Sequence, residues 1–120
     1  MAINPYEQYK KQSVMTMTQG AMLTKLYEEI IKQLNVALLF IEAKNISKSN
    51  QALQKSQKIL NYLKATLDHK YQISKSLDSL YDFFIQQIVL ANIKKETKPI
   101  QDILPMIEEL RDTFIQADRL

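Results

Sequence analysis

The 120-residue sequence has no cysteine and no tryptophan, a single glycine and three prolines. Without cysteine there is neither a disulfide nor a thiolate metal site. One glycine cannot build the glycine-rich loops that cradle phosphates. Hairpins and sandwiches need glycine and proline at their turns, whereas helices tolerate neither in their interiors. The scarcity therefore predicts long helices joined by few turns. No apolar run reaches the about 18–20 residues of a membrane span. The opening MAINPYEQYKK lacks the apolar stretch of a signal peptide. A cytoplasmic (cytosolic) location without membrane insertion is the default expectation.

Histidine is nearly absent too, with His69 alone. A di-iron site in a helical bundle takes four inward carboxylates and two Glu-x-x-His pairs, so that chemistry is excluded on ligand count. His69 sits between Asp68 and Lys70 and reads as a solvated residue near a helix end. No glycine-flanked serine and no cysteine supply a nucleophile. Glu28-Glu29 and Glu108-Glu109 are sequence neighbours that diverge around a helix, and they read as solvated face. No catalytic residue, metal or cofactor is expected. Binding is what remains.

Arginine is scarce, with only Arg111 and Arg119 against fourteen lysines. Arginine is the usual reader of phosphate and guanine, so the net charge of +3 is weak support for nucleic acid. The charges are unevenly placed. Lys44 to Lys75 holds seven lysines and one acid, Asp68; Glu96 to Leu120 holds six acids. The simplest account is a lysine-coated helix packed near an acidic one.

What is present is helical periodicity. Residues 1–17 lack a long regular period, and Asn4-Pro5 favours an extended start. They read as an apolar tail or short helix that caps the body and covers its groove. Residues 18–120 read as the bundle. Thr18 is a fitting N-cap for a first helix ending near Lys44-Asn45. Its stripe is Leu23, Leu26, Tyr27, Ile30, Ile31, Leu34, Ala37, Leu38 and Ile41. A second helix opens near Ser47 and runs to about His69, with Leu53, Ser56, Ile59, Leu60, Leu63 and Leu67 inward. A third is capped by Ser74 and runs to Lys94-Lys95. A fourth begins near Pro99, its stripe being Ile100, Ile103, Leu104, Ile107, Leu110 and Phe114. Pro105 predicts a kink or a delayed start there. The fold class is all-α, an antiparallel up-down-up-down four-helix bundle.

The densest segment is Leu77 to Asn92, LDSLYDFFIQQIVLAN, in which ten of sixteen residues are apolar or tyrosine. One core stripe needs only three or four residues per two turns. The surplus marks this helix as a bundle centre or as the wall of a groove for another chain. Tyrosine and methionine, enriched where proteins meet, add to the second account.

These residues resemble the flagellin-specific export chaperones of the FliS family over almost the whole length. The block NPYEQYKKQSVMTMTQGAMLTKLYEEI matches that family's opening: a tyrosine, a short apolar stretch, a cap, then a leucine-tyrosine pair. The usual serine-proline cap is Thr18-Gln19 here, and Leu-Tyr-Asp-Gly is Leu26-Tyr27-Glu28-Glu29. Ile59, Leu63, Leu67 and Asp68 match the middle block. Leu77, Leu80, Tyr81, Asp82, Phe83, Ala91 and Asn92 match the strongest one. A tryptophan common in the family's last helix is Phe114.

The resemblance implies a cytoplasmic chaperone. It would bind the C-terminal segment of flagellin, prevent premature polymerisation and help delivery to the export apparatus, with other flagellar export or regulatory proteins as further partners. Carried over residue by residue, the partner-binding positions are Ile3, Tyr6, Met22, Leu23, Leu26, Tyr27, Leu77, Leu80, Tyr81 and Asn92. Tyr81 has a second reading as a core aromatic, and Asn92 one as a helix cap. The expected state alone is a monomer or weak homodimer. Two other readings stay open: a lysine-faced nucleic-acid binder, and a bundle that only self-assembles.

Overall fold

The computed structural model describes residues 19–118, which form four helices and no strand: α1 (Gln19–Glu42), α2 (Ile46–Ala65), α3 (Ile73–Lys94) and α4 (Lys98–Asp118). The expected tail at 1–17 and the Thr18 cap lie outside the described residues. The helices form a ring in which α1 packs on α2 and α4, and α3 packs on α2 and α4. The pairs α1–α3 and α2–α4 are diagonal. Lys64 at the end of α2 reaches Asp82 in the first half of α3, at 2.5 Å. Asn92 near the end of α3 donates to Asn50 near the start of α2, at 2.7 Å. Those two helices are therefore antiparallel. Tyr27 near the start of α1 stacks on Phe114 near the end of α4, with ring centroids 5.5 Å apart. The up-down-up-down bundle expected from periodicity is the fold.

The core comes from the predicted stripes. Tyr27, Ile30, Ile31, Leu34 and Ala37 of α1 meet Leu53, Leu60 and Leu63 of α2, Tyr81, Phe84, Ile88 and Ala91 of α3, and Ile100, Ile103, Leu104 and Ile107 of α4. Each large side chain removed from water contributes about 1.5–3 kcal/mol before entropy is counted. Buried Ser49 and Ser56 donate their hydroxyls to Ile46 O and Ala52 O, so their polarity is satisfied within α2 itself.

Two turns solve the glycine shortage with lysine. Lys44 (φ 59°) and Lys95 (φ 53°) occupy the left-handed region where a helix-ending glycine is usual. Asn45 N–H returns to Phe40 O at 2.8 Å and Lys44 N–H to Ile41 O at 3.0 Å, which is the Schellman pattern. After α3, the amides of Lys95 and Glu96 both reach Ala91 O. A cation at these ends complements the helix dipole. Asn45 then caps α2, its side-chain oxygen accepting from Lys48 N–H at 3.0 Å.

Three expectations are corrected, and one of the two alternatives for Pro105 is removed. α2 stops at Ala65 rather than His69, because the Asp68 carboxylate accepts from Lys70 N–H and Asp68 O from Tyr71 N–H, a turn that competes with the helix. Ser74 is not a cap: bonds from Ser74 and Lys75 N–H to Tyr71 and Gln72 O wind the chain early, so α3 starts at Ile73 and Ser74 is buried in its first turn. Pro105 does not delay α4, which starts at Lys98 and passes through it. The carbonyl left without its amide belongs to Gln101, an exposed residue, so the loss falls at the surface rather than in the core. Finally, lysine-rich α2 does not pack on acidic α4, which is diagonal to it. Lys64 pairs with α3 instead, through Asp82 and, at 3.7 Å, Asp78.

Candidate protein-binding cleft

Antiparallel packing brings the start of α1, the end of α2, the start of α3 and the end of α4 to one end of the bundle. There the helices part around a cleft of about 340 Å³. Leu23 of α1 and Phe114 of α4 form one wall, Leu63 of α2 and Leu67 just beyond its end another, and Leu77 and Tyr81 of α3 a third. Tyr71 and Ile73, both exposed, reach it from the short connection and the first residue of α3. A second depression of about 230 Å³ lies between Met22, Leu23 and Leu26 of α1 and Tyr62 of α2 with Thr66 at that helix's C-cap. Leu23 and Thr66 belong to both, so the two form one apolar track along the α1–α2 seam.

Beneath the cleft the hydroxyls of Tyr27 and Tyr81 hydrogen-bond to each other, joining diagonal helices across the core. Burial raises both phenols above their ordinary 10.0, and for Tyr27 the bond to Tyr81 adds to the rise. Both stay neutral at any physiological pH. Between α2 and α3, Lys64 is held as a cation chiefly by its bond to Asp82.

The predicted site residues divide into three groups. Met22, Leu23, Leu26 and Leu77 line the track, half-buried. Tyr27 and Tyr81 are brought together but as core, Tyr81 alone touching the cleft. Leu80 is half-buried and packs on the core without lining the cleft. Asn92 lies at the opposite end of the bundle, donating to Asn50 and accepting from Lys95 Nζ. Ile3 and Tyr6 lie outside the described residues. Sequence reasoning missed Leu67, Tyr71, Ile73 and Phe114 as cleft residues. Tyr71 and Ile73 carried a signal: large apolar residues in a connection, off every helical stripe.

α3 also has apolar side chains that the bundle leaves outside: Phe83, Val89, Leu90 and Ile93. Phe83, Leu90 and Ile93 recur at steps of seven and three, which puts them on one side of the helix. Among the described residues, no group of three His, Asp or Glu is placed to hold a metal ion. No helix there is long and apolar enough to cross a membrane.

The sequence matches the family model described as flagellar protein FliS over residues 2–120. It is similar to the flagellar secretion chaperone FliS of Bacillus subtilis, with 34% identity covering 98% of this chain and 89% of that one. The protein of the same name from Salmonella typhimurium is 27% identical, over 95% of this chain and 87% of its own. That of Vibrio cholerae is 29% identical, over 90% and 84%. With the family's pattern running almost from end to end of a four-helix bundle, this chain belongs to the FliS family of flagellar proteins.

Proposed function

We propose that the chain is a flagellar secretion chaperone, as its relatives are named, and that its guest is the C-terminal segment of flagellin. It holds that segment in the cytosol, keeps it from polymerising and passes it to the export apparatus. The observation that carries this reading is the apolar track of Met22, Leu23, Leu26, Leu77 and Tyr81, formed by two depressions that share Leu23 and Thr66. An unfolded amphipathic segment gains most by laying apolar residues into such a track and folding there, contact area offsetting its ordering entropy. Ile3 and Tyr6 are assigned to the same contact and to covering the apolar floor when no guest is present, which would lower apparent affinity and limit aggregation. Tyr27 and Leu80 support the walls from behind. Asn92 offers an amide to a guest that runs the length of α3.

The test is calorimetric titration of the full chain with a flagellin C-terminal peptide, beside Leu23→Glu and Leu77→Glu variants whose helicity is checked by circular dichroism. Both positions are half-buried at the cleft, so a charge there repels an apolar guest at modest cost to the fold. The expected outcome is one-to-one binding by the parent chain and a loss of roughly a hundredfold or more in each variant. Absence of uptake by the parent chain, or variants that bind as well as it does, would refute the proposal.

A further inference from the structure

The end of the bundle remote from the cleft has a depression of its own, of about 330 Å³. Phe40 and Ile41 from the last turn of α1 and Ile46 from the first turn of α2 make an apolar floor. Lys44 reaches it from the intervening turn and Lys95 from the end of α3. Lys48 adds a third cation, its ammonium 5.3 Å from the centre of the Phe40 ring. Among the described residues no acidic side chain lines it; Glu42 and Glu96 stand on the neighbouring turns. The other polar wall groups are occupied at home. The Asn45 side chain accepts from Lys48 N–H, the Ser49 hydroxyl donates to Ile46 O, and Lys95 bonds Asn92. An ammonium with one such bond still has two donors to offer. The most solvent-exposed large apolar residues of the described chain also belong to this end: Ile93 at 76%, Leu39 at 68% and Ile46 at 67%.

We propose that this end is a second docking surface, and that its occupant is an acidic peptide segment with an apolar anchor, from a protein other than the guest in the cleft. The anchor would fill the floor between Phe40 and Ile46 while carboxylates meet Lys44, Lys48 and Lys95. Charge selects this occupant. A second copy of the chain would bring like-charged rims face to face, which is costly. A nucleic acid would satisfy the lysines but leave Leu39, Ile46 and Ile93 against water and phosphate, and no arginine lies among these residues to grip the phosphates. The cleft and the floor between Phe40 and Ile46 lie at opposite ends of the bundle.

The experiment is fluorescence anisotropy of the full chain with a short labelled peptide of glutamates around a central Phe-Leu pair. Control peptides carry lysine for every glutamate, or serine for the Phe-Leu pair. The expected result is saturable binding by the acidic apolar peptide only, weakened as salt rises. Lys48→Glu and Ile46→Asp should each weaken it roughly tenfold or more. Both side chains are exposed and both acids suit a helix N-terminus, so helicity should hold. Leu77→Glu, at the cleft, should leave it unchanged. No saturable binding overturns the proposal, as does equal binding of the lysine peptide or loss of binding in Leu77→Glu rather than Ile46→Asp. Concentration-dependent dimerisation abolished by Ile46→Asp would overturn it in favour of a second copy. Tighter binding of a duplex DNA fragment than of the acidic peptide would overturn it in favour of nucleic acid.

Discussion

Removing the hydroxyl of Tyr27 should cost more than its size suggests, and removing that of Tyr81 as well should recover part of the loss. The two rings are 0% and 1% exposed, and each hydroxyl has the other as its hydrogen-bond partner. In Tyr27→Phe the Tyr81 hydroxyl stays buried with no other partner among the described residues. An orphaned buried hydroxyl costs about 1–3 kcal/mol, whereas removing both partners leaves apolar surface against apolar surface and is close to neutral. Each single variant should therefore lose about 1–3 kcal/mol, and Tyr27→Phe with Tyr81→Phe clearly less than the sum. Urea denaturation of the four proteins closes the cycle and reads the coupling directly. Additive losses, with coupling below about 0.5 kcal/mol, would refute the idea that the pair ties α1 to α3.

The same pair makes a pH prediction. Both phenols ionise above their ordinary 10.0 in the native state, chiefly because burial disfavours the phenolate. Above about pH 10 the unfolded chain has released these protons and the native one has not. Native protein then binds more protons than unfolded, so stability falls as pH rises through that window. The double phenylalanine variant should show a shallower alkaline decline in urea midpoint.

Four further variants test the turns, the α2 cap and the exposed side of α3. Lys44→Gly and Lys95→Gly relieve a left-handed residue worth about 1–2 kcal/mol against the greater chain entropy of glycine, so each should stabilise by about 0.5–1 kcal/mol in thermal melts. Asn45→Ala removes the α2 cap and should cost about 1 kcal/mol by the same measurement. Leu90→Gln with Ile93→Gln should change stability by no more than about 0.5 kcal/mol per site, because both are exposed, while weakening uptake of the flagellin peptide.

How much of this could be read beforehand depended on distance along the chain. The four stripes were legible because a period of 3.6 survives in any buried helix, and the buried set of α1, α2 and α4 follows the stripes nearly residue by residue. Met22, Leu23, Leu26 and Leu77 were legible as candidates, but their shared cleft was not. It is assembled from four helix ends, and no local pattern states which ends meet. Phe114 joins it only because α4 runs antiparallel to α1. The Tyr27–Tyr81 bond spans the bundle's diagonal, so each tyrosine was visible as an aromatic on a stripe and neither as the other's partner. Lys44 and Lys95 were illegible for another reason: a lysine at a helix end already has a role beside the dipole, which hides its left-handed backbone.

The surplus on α3 can be judged against what the bundle uses. Tyr81, Phe84, Ile88 and Ala91 already fill the side of the helix that faces the core. A helix selected for stability alone would carry polar residues at 83, 89, 90 and 93, since exposed apolar side chains add little to the fold and raise the risk of aggregation. The chain has the polar alternatives at hand: Gln86 and exposed Lys94 sit on the same outer surface. Keeping Phe83, Val89, Leu90 and Ile93 there makes sense if something else covers them. Two features bear on what does. The side chains run from the middle of α3 to its last turn, toward the lysine-rimmed end, which is a path for a long guest rather than a socket for a small one. They also lie on the helix that supplies Leu77 and Tyr81 to the cleft, but on its outer side. Binding that depends on this path should therefore fall stepwise as the guest peptide is shortened, while the stability of the empty bundle stays where it was.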